Sequence, residues 1–111
     1  MTESEFLDLA ETTLDDLERT LENAAEAADL DIECSRAGNV LEIELIDFGA
    51  KIIINSQAPM QEIWVAARSG GFHYKRAGEC WLDTRSGEEL FAALGRLVGE
   101  QAGCVIRLDA A

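Results

Sequence analysis

Hydrophobic residues in the first thirty positions recur at steps of three or four, which is the spacing of one face of an α-helix. The apolar face comprises Phe6, Leu7, Ala10, Leu14, Leu17, Leu21, Ala24, Ala25 and Ala28. Ser4 precedes this run and is followed by acidic side chains, a pattern typical of a helix N-terminus. The pattern therefore predicts a long amphipathic helix from about Ser4 to Ala27.

From Asp29 onward the hydrophobic pattern changes to alternation, which is typical of β-strands with one buried face. The segment from Val40 to Leu45 shows this most clearly, because every second residue is a large aliphatic one. Short strands are predicted at residues 29–34, 40–45, 51–55, 62–68, 72–76 and 80–83. Their connections are too short for a crossover, so neighbouring strands are expected to run antiparallel.

A second amphipathic helix is predicted over residues 88–101, with helically spaced apolar residues. Ser86 or Gly87 is expected to cap its start, Gly103 to end it, and residues 104–108 to form a short extended tail. The order of one helix, six strands and one helix predicts an α+β fold. This fold is a two-layer sandwich with both helices on one face of an antiparallel sheet of about five to six strands. We expect a single domain over residues 1–111, with the other face of the sheet open to solvent.

The fourth predicted strand places a tryptophan on the open face of this sheet. Alternation along the strand directs Ile63 and Val65 toward the helices. It directs Glu62, Trp64 and Arg68 to the open side, so a large aromatic ring is expected among charged groups. A tryptophan in this setting is typical of a protein-binding anchor, and the alternative is a ring covered by a loop.

Charge is distributed very unevenly along the chain. The net charge is −13, and residues 1–33 contribute −11 of it, because they hold twelve acidic groups and only Arg19 as a basic one. Nucleic acids and anionic membranes require a basic surface, so neither is expected as a partner. The asymmetry favours metal cations or a basic protein surface instead.

Acidic residues also follow helical spacing, on a second face of the first helix. They form a stripe of Asp8, Glu11, Asp15, Glu18, Glu22 and Glu26. At about 100° per residue, these six side chains share one narrow arc. Each pair of like charges one turn apart costs an isolated helix roughly 0.2–0.5 kcal/mol, so a cation or a basic partner would relieve the repulsion. Asp29, Asp31 and Glu33 extend the stripe beyond the helix.

An open row of carboxylates favours hard cations, such as ferric iron, with ferrous iron, magnesium, calcium and manganese as competitors. One helix face cannot enclose an ion, so binding is expected to be weak, with water completing the coordination shell. The alternative is a solvated acidic face that serves only solubility.

Residues that most enzymatic and zinc sites require are missing from the sequence. His73 is the only histidine, and neither a Cys-x-x-Cys pair nor a glycine-rich phosphate loop occurs. We therefore expect no catalytic activity, no zinc and no nucleotide. Cys34, Cys80 and Cys104 are odd in number and widely spaced, which favours reduced thiols, as small core residues of a cytoplasmic protein. The acidic N-terminus also differs from a secretory signal.

Several motifs are specific enough to indicate a family. They are residues 49–59 (GAKIIINSQAP), 63–66 (IWVA), 70–74 (GGFHY) and 81–88 (WLDTRSGE). Together with residues 4–6 (SEF), they make nearly the whole chain similar to the frataxin family, in its bacterial branch. The resemblance implies two helices packed on one face of an antiparallel sheet, which agrees with the prediction from periodicity.

The resemblance also implies a function. Frataxins bind iron weakly on an acidic ridge and act in iron–sulfur cluster assembly with a cysteine desulfurase and a scaffold protein, as regulator or iron donor. Matched residue by residue, this ridge comprises Glu11, Asp15, Asp16, Glu18, Glu22, Asp29, Asp31 and Glu33, to which the helical stripe adds Glu26. We call these nine residues the acidic ridge. They are the predicted ligands of surface-bound ferric or ferrous iron.

Partner contacts are predicted on the open face of the sheet. Trp64 matches the family's exposed sheet tryptophan, and Asn55, Gln57 and Arg68 are predicted to contact the partner with it. The implied state is a monomer, with iron-dependent oligomerisation left open. A second hypothesis also stands, in which the chain is an acidic interaction module that inhibits a basic partner without any metal.

Overall fold

A computed structural model describes residues 1–108, and Asp109, Ala110 and Ala111 at the end of the predicted domain lie outside the described residues. The helices are α1 (Glu3–Ala27) and α2 (Leu90–Ala102). The strands are β1 (Ile32–Ala37), β2 (Val40–Leu45), β3 (Ala50–Gln57), β4 (Glu62–Ala67), β5 (Gly70–Ala77) and β6 (Cys80–Asp83). Short 3₁₀ helices at Ile46–Phe48 and Ala58–Met60 join β2 to β3 and β3 to β4.

The six strands form one antiparallel sheet in sequence order, each pairing with the next. Alternate residues of each strand point to the helices. On this side they are buried in the central strands, as Leu41, Ile54 and Val65 are, and half-buried in the outer strand β1. They pack with Phe6, Leu14 and other residues of the two helices in one core. The predicted α+β sandwich, with one open sheet face, is confirmed.

α1 begins earlier than predicted, because Thr2 and not Ser4 is its N-cap. The Thr2 hydroxyl accepts a hydrogen bond from the Glu5 backbone N–H at 3.1 Å, and the Glu5 carboxylate accepts one from the Thr2 N–H at 2.9 Å. This reciprocal capping box satisfies two amides that the helix leaves unpaired. The hydrogen bond from the Thr2 backbone also holds the pKa of Glu5 below its usual value.

β1 starts three residues later than predicted, at Ile32. Asp29 follows the helix with a left-handed φ of 54°, and the Leu30 N–H bonds back to the Ala25 carbonyl oxygen at 2.8 Å. The chain therefore uses Asp29 and Leu30 to end the helix and not to start a strand. Left-handed backbone is tolerated by aspartate better than by most residues, which explains an acidic residue at this point.

The start of α2 is built differently from the prediction, whereas its end agrees with it. Glu89, and not Ser86 or Gly87, is the N-cap, and its carboxylate accepts hydrogen bonds from the N–H groups of Phe91 and Ala92. Gly103 ends the helix with a φ of 70°, as predicted. No helix within residues 1–108 combines the length and apolarity needed to span a membrane.

Residues 104–108 run back along α2, and two glycines of the helix make this approach possible. A Cβ atom on Gly95 would lie 2.8 Å from the Ile106 carbonyl oxygen, and one on Gly99 would lie 2.6 Å from that of Cys104. Ile106 and Leu108 are thereby buried in the core. The segment belongs to no strand, so it is held by packing.

Candidate iron-binding and partner-binding surfaces

The acidic ridge lies along α1, the connection that follows it, and β1 at the edge of the sheet. Seven of its nine residues are exposed, and Asp16 and Glu18 are half-buried. The core-facing side of α1 is occupied by Phe6, Ala10, Leu14 and their neighbours, so the carboxylates are displaced toward solvent. The helix and the strand together therefore present an acidic edge.

Two carboxylates of the ridge are already neutralised. Asp15 forms an ion pair with Arg36 of β1, and Asp16 pairs with Arg19 at 2.9 Å. The Asp15–Arg36 pair joins residues 21 positions apart, so helical spacing alone could not reveal it. The other seven ridge residues form no ion pair within residues 1–108.

Asp16 is separated from the other ridge residues. It lines a small cavity with Arg76, Glu79 and Cys80, on the β5–β6 side of α1. Glu11 instead lines a cavity on the opposite flank, with Arg36 and the β1–β2 turn. A cation bound beside Glu11 would therefore be out of reach of Asp16.

The sheet itself also divides the ridge. In β1 the side chains of Ile32, Cys34 and Arg36 lie on the helix side, because they pair with the buried residues of β2. Glu33 points to the open face, directly opposite Glu44. The carboxylate of Glu33 thus lies below the sheet edge, whereas Glu18 and Glu22 lie above it. Like charges directly opposite in a strand pair are destabilising. On its other side Glu44 lies opposite Lys51 of β3, whose ammonium group forms an ion pair with Glu42.

Cys34 lies beneath the helical part of the ridge. Its pKa is raised to about 12, first by burial and then by the negative charges of Glu22 and Glu18. Glu18 and Glu22 therefore both lie near the Cys34 thiol. Within residues 1–108, however, no group of three or more His, Cys, Asp or Glu side chains converges to hold a metal ion. The ridge therefore offers single carboxylates and adjacent pairs, and water would have to supply the remaining ligands.

Trp64 lies on the open face and packs against the neighbouring strand. Its ring is half-buried and stacks on His73 of β5, with 4.3 Å between ring centroids and 6° between the planes. The indole Nε1–H donates a hydrogen bond to the Glu62 carboxylate at 2.8 Å. Neither contact was predicted from the sequence. Trp64 and His73 lie directly opposite each other in the β4–β5 hairpin, so the register of this hairpin could have predicted the stack.

Glu62 corrects the prediction for this face. Strand alternation places it on the open side, where it was expected to be exposed, but it is only 4% exposed. Trp64, His73 and Lys75 surround its carboxylate. Alternation determines the face on which a side chain lies, but it does not show which larger neighbours cover it.

Of the other predicted partner contacts, the structure brings two close to Trp64. Asn55 pairs directly with Trp64 and Gln57 with Glu62, and the Gln57 side-chain amide donates to the Asn55 side-chain oxygen at 2.6 Å. Arg68 lies in the β4–β5 turn, four residues and about 13 Å further along the strand. We call Asn55, Gln57, Glu62, Trp64 and His73 the tryptophan face, from which Arg68 is separate.

The three cysteines were predicted to be small core residues, but they are more exposed than that. Cys34 is half-buried, but Cys80 and Cys104 are exposed. Trp81, in contrast, is fully buried. Its indole N–H donates to the Thr13 hydroxyl at 3.0 Å, and Phe6 contacts its ring edge-on. The two tryptophans therefore have opposite roles, one in the core and one on the open face.

Comparisons with known proteins bear on this geometry. The frataxin-like domain family model matches residues 1–104. The iron–sulfur cluster assembly protein CyaY of Herminiimonas arsenicoxydans is 64% identical over 108 residues, which cover 97% of this chain and 96% of that protein. The CyaY protein of Janthinobacterium sp. (strain Marseille) is 62% identical over 109 residues, covering 98% of this chain and 97% of that protein.

Solved structures agree with the sequence comparisons. Frataxin from Psychromonas ingrahamii superposes with a TM-score of 0.81 at 29% identity, over 99% of this chain and 100% of that one. The trimeric frataxin of Saccharomyces cerevisiae complexed with ferrous iron superposes with a TM-score of 0.72 at 29% identity, over 86% of each chain. Family model, relatives and structures agree, and the chain therefore belongs to the frataxin family.

Proposed function

We propose that this chain acts in iron–sulfur cluster assembly, as a weak iron-binding protein that regulates the cysteine desulfurase and scaffold and can donate iron to them. The observation that carries the proposal is the set of seven ridge carboxylates without an ion-pair partner in residues 1–108. The CyaY names of relatives more than 60% identical support the assembly role. The proposed setting is the bacterial cytoplasm, where three free cysteines stay reduced.

The chemistry of the ridge suits iron as cargo and not as a fixed cofactor. Carboxylate oxygens are hard ligands that bind ferric and ferrous ions. Because the ridge carboxylates do not converge, water would complete the shell of each bound ion, which keeps affinity low and exchange fast. An ion held in this way can be delivered to another protein. Glu18 and Glu22 are the proposed centre of binding, since they lie one turn apart on α1 and neither forms an ion pair within residues 1–108.

The same carboxylates would dock a basic surface of the desulfurase. An exposed strip of one charge sign accelerates association with a surface of the opposite sign, and salt weakens the effect. Iron and the desulfurase would then compete for one ridge, so bound iron would alter docking. The tryptophan face, on the other side of the sheet, would contact the scaffold protein through Trp64.

Reversing two ridge charges tests this proposal. We expect the double substitution Glu18→Lys and Glu22→Lys to weaken both iron binding and desulfurase binding by on the order of tenfold or more at low salt. Glu100→Lys is the matched control, because Glu100 is exposed on α2 and pairs, among residues 1–108, only with Arg96. Iron binding is measured by titration calorimetry and desulfurase binding by biolayer interferometry. Unchanged affinity of the double variant for both ligands would refute the ridge as the binding surface.

The second candidate function is the metal-independent interaction module. The ion pairs of Asp15 and Asp16 support it. Arg36 and Arg19 show that this ridge accepts cationic side chains in ion pairs, as a basic partner would require. Iron titration followed by amide NMR separates the candidates. Broadening confined to α1 and β1 supports iron binding, whereas inhibition of the desulfurase without any such broadening supports the metal-independent module.

A cluster-assembly assay with desulfurase and scaffold, run across iron concentrations, tests the regulatory part. We expect the effect of this protein on the assembly rate to change with iron concentration. An effect that is the same at all iron concentrations would contradict regulation by iron.

A further inference from the structure

Glu62 is a buried carboxylate on a sheet face that is otherwise open. Removing a carboxylate from water is costly unless hydrogen bonds and positive charges compensate. The fold does not need this group for its core, because Glu62 points away from the helices. Its burial therefore requires a local explanation in the groups that cover it.

Three groups surround the Glu62 carboxylate. Its Oε1 atom accepts the hydrogen bond from Trp64 Nε1 at 2.8 Å and lies 3.4 Å from His73 Nδ1. Its Oε2 atom lies 3.6 Å from the Lys75 ammonium. The bond from the indole is the shortest of the three and has a charged acceptor, which makes it the strongest kind of hydrogen bond present here.

The consequence concerns the orientation of Trp64. The indole is restrained at two points, by the stack on His73 over its ring and by the bond from its N–H to Glu62. A side chain held in its bound orientation loses less conformational freedom when a partner docks, and this pre-organisation raises affinity. Lys75 contacts the carboxylate but is largely exposed, so it can balance charge without holding the ring.

We propose that Glu62 is a positioning residue, which together with His73 holds Trp64 in the orientation that the partner contacts. The inference rests on the proposed function, in which Trp64 contacts the scaffold protein. It assigns to Glu62 a role in binding that acts entirely through the indole.

The test compares the affinity of variants for the cognate desulfurase–scaffold complex. We expect Glu62→Ala to weaken binding by about threefold to tenfold, the effect of freeing one large side chain. Glu62→Gln should stay within about twofold of the parent, because the amide oxygen still accepts from the indole N–H. Lys75→Ala is the matched control and should bind as the parent does. Adding Glu62→Ala to Trp64→Ala should cause no further loss.

A second measurement reports the ring directly. In ¹H–¹⁵N spectra the two indole N–H signals belong to Trp64 and Trp81, and the buried Trp81 signal reports whether the variant is folded. In Glu62→Ala the Trp64 signal should shift and exchange faster with solvent, while the Trp81 signal stays unchanged. An unchanged Trp64 signal would overturn the proposal.

The affinity results separate two failures. If Trp64→Ala binds normally, the tryptophan face has no role in docking, and the proposed function loses that part together with this inference. If Trp64→Ala weakens binding but Glu62→Ala does not, only the positioning role is overturned. Equal losses in Glu62→Gln and Glu62→Ala would show that Glu62 acts by its charge, and a further loss in the double variant would show that it acts independently of the indole. Either result would also overturn the positioning role.

Discussion

Trp64 and Trp81 show how one residue type can serve opposite purposes at the scale of a single side chain. Trp81 is 2% exposed, and its N–H bonds to the hydroxyl of Thr13 in the core. The Thr13 hydroxyl in turn donates to the Leu9 carbonyl oxygen at 2.8 Å. Trp64 uses its N–H on the open face, where the partner group is a carboxylate. The first arrangement stabilises the fold, and the second presents a ring to solvent.

Substituting phenylalanine for each tryptophan should separate these roles. Trp81→Phe should lower the free energy of unfolding by about 1–3 kcal/mol, because it leaves space in the core and removes the indole donor to Thr13. Trp64→Phe is the matched control and should lower it by less than about 1 kcal/mol, since the ring is half-buried on the open face. Urea denaturation measures both. A larger loss for Trp64→Phe would place Trp64 among the residues that stabilise the fold.

Thiol reactivity should distinguish the three cysteines. Cys80 and Cys104 are exposed, whereas burial and nearby carboxylates raise the pKa of Cys34 to about 12. A raised pKa leaves very little thiolate at neutral pH, and the thiolate is the reactive form. At pH 7.5 we expect Cys80 and Cys104 to react quickly with iodoacetamide. Cys34 should react more slowly by on the order of tenfold or more, because its thiolate fraction is small and its side chain is half-buried. Mass spectrometry of peptides identifies each site, and equal rates would contradict the buried position of Cys34.

At the scale of elements, α2 and residues 104–108 depend on each other. Gly95 and Gly99 allow the following chain to lie against the helix, and that chain buries Ile106 and Leu108. Glycine is a poor helix former, so its presence in the middle of α2 is explained by this close contact. Helix stability has been traded for packing of the C-terminal segment.

The sign of the stability change caused by Gly99→Ala should reveal this dependence. Helix propensity alone would make alanine more stable by about 1 kcal/mol. The new Cβ would lie 2.6 Å from the Cys104 carbonyl oxygen, so the segment must shift, and we expect a net loss of about 1–3 kcal/mol. Ala92→Gly, at an exposed position of the same helix, measures propensity alone and should cost about 1 kcal/mol. Thermal unfolding checks both, and a stabilised Gly99→Ala would contradict the contact.

Most elements could be predicted from the sequence, because their periodicity is a local property. Val40–Leu45 and Cys80–Asp83 have the predicted bounds, since clear alternation and flanking turns define them. The predicted start of β1 was wrong because Asp29, in a left-handed conformation, ends the helix. The acidic residues around it are compatible with a helix, a turn or a strand, so the sequence pattern does not distinguish these possibilities.

The candidate surfaces were predictable only as sets of residues. The helical stripe could be derived from spacing, but its pairing with Arg36 depends on how α1 crosses β1. The separation of Asp16 and of Glu33 from the other ridge residues depends on the same packing. Burial of Glu62 depends on the rotamers of Trp64 and His73. Periodicity contains no information on contacts between elements of this kind.

At the scale of the whole molecule, the net charge of −13 opposes compactness. Most of the charge lies on α1 and the residues that follow it, so repulsion is concentrated on one side of the sandwich. Only nine lysine and arginine residues are present in the chain, and two of the arginines are already paired with Asp15 and Asp16. Stability should therefore depend on the ionic strength of the solution.

We expect added sodium chloride to raise the midpoint of urea unfolding, because screening weakens repulsion among exposed carboxylates. The gain between about 0.02 M and 0.5 M salt should be smaller in Glu22→Gln, which already removes one of the crowded charges. Glu100→Gln, whose parent residue pairs with Arg96, should retain the full gain. Circular dichroism follows unfolding, and a midpoint independent of salt would contradict concentrated repulsion.

The pairing of Glu33 opposite Glu44 has a consequence for growth of the sheet. β1 is an outer strand of the sheet. The backbone N–H and C=O groups on its edge away from β2 could pair with an extended segment of another chain. Glu18 and Glu22 lie on one side of this strand, and Glu33 and Glu44 lie on the other. A second copy that approached edge to edge would bring the same carboxylates against them. The acidic edge should thus disfavour extension of the sheet by strand addition at β1.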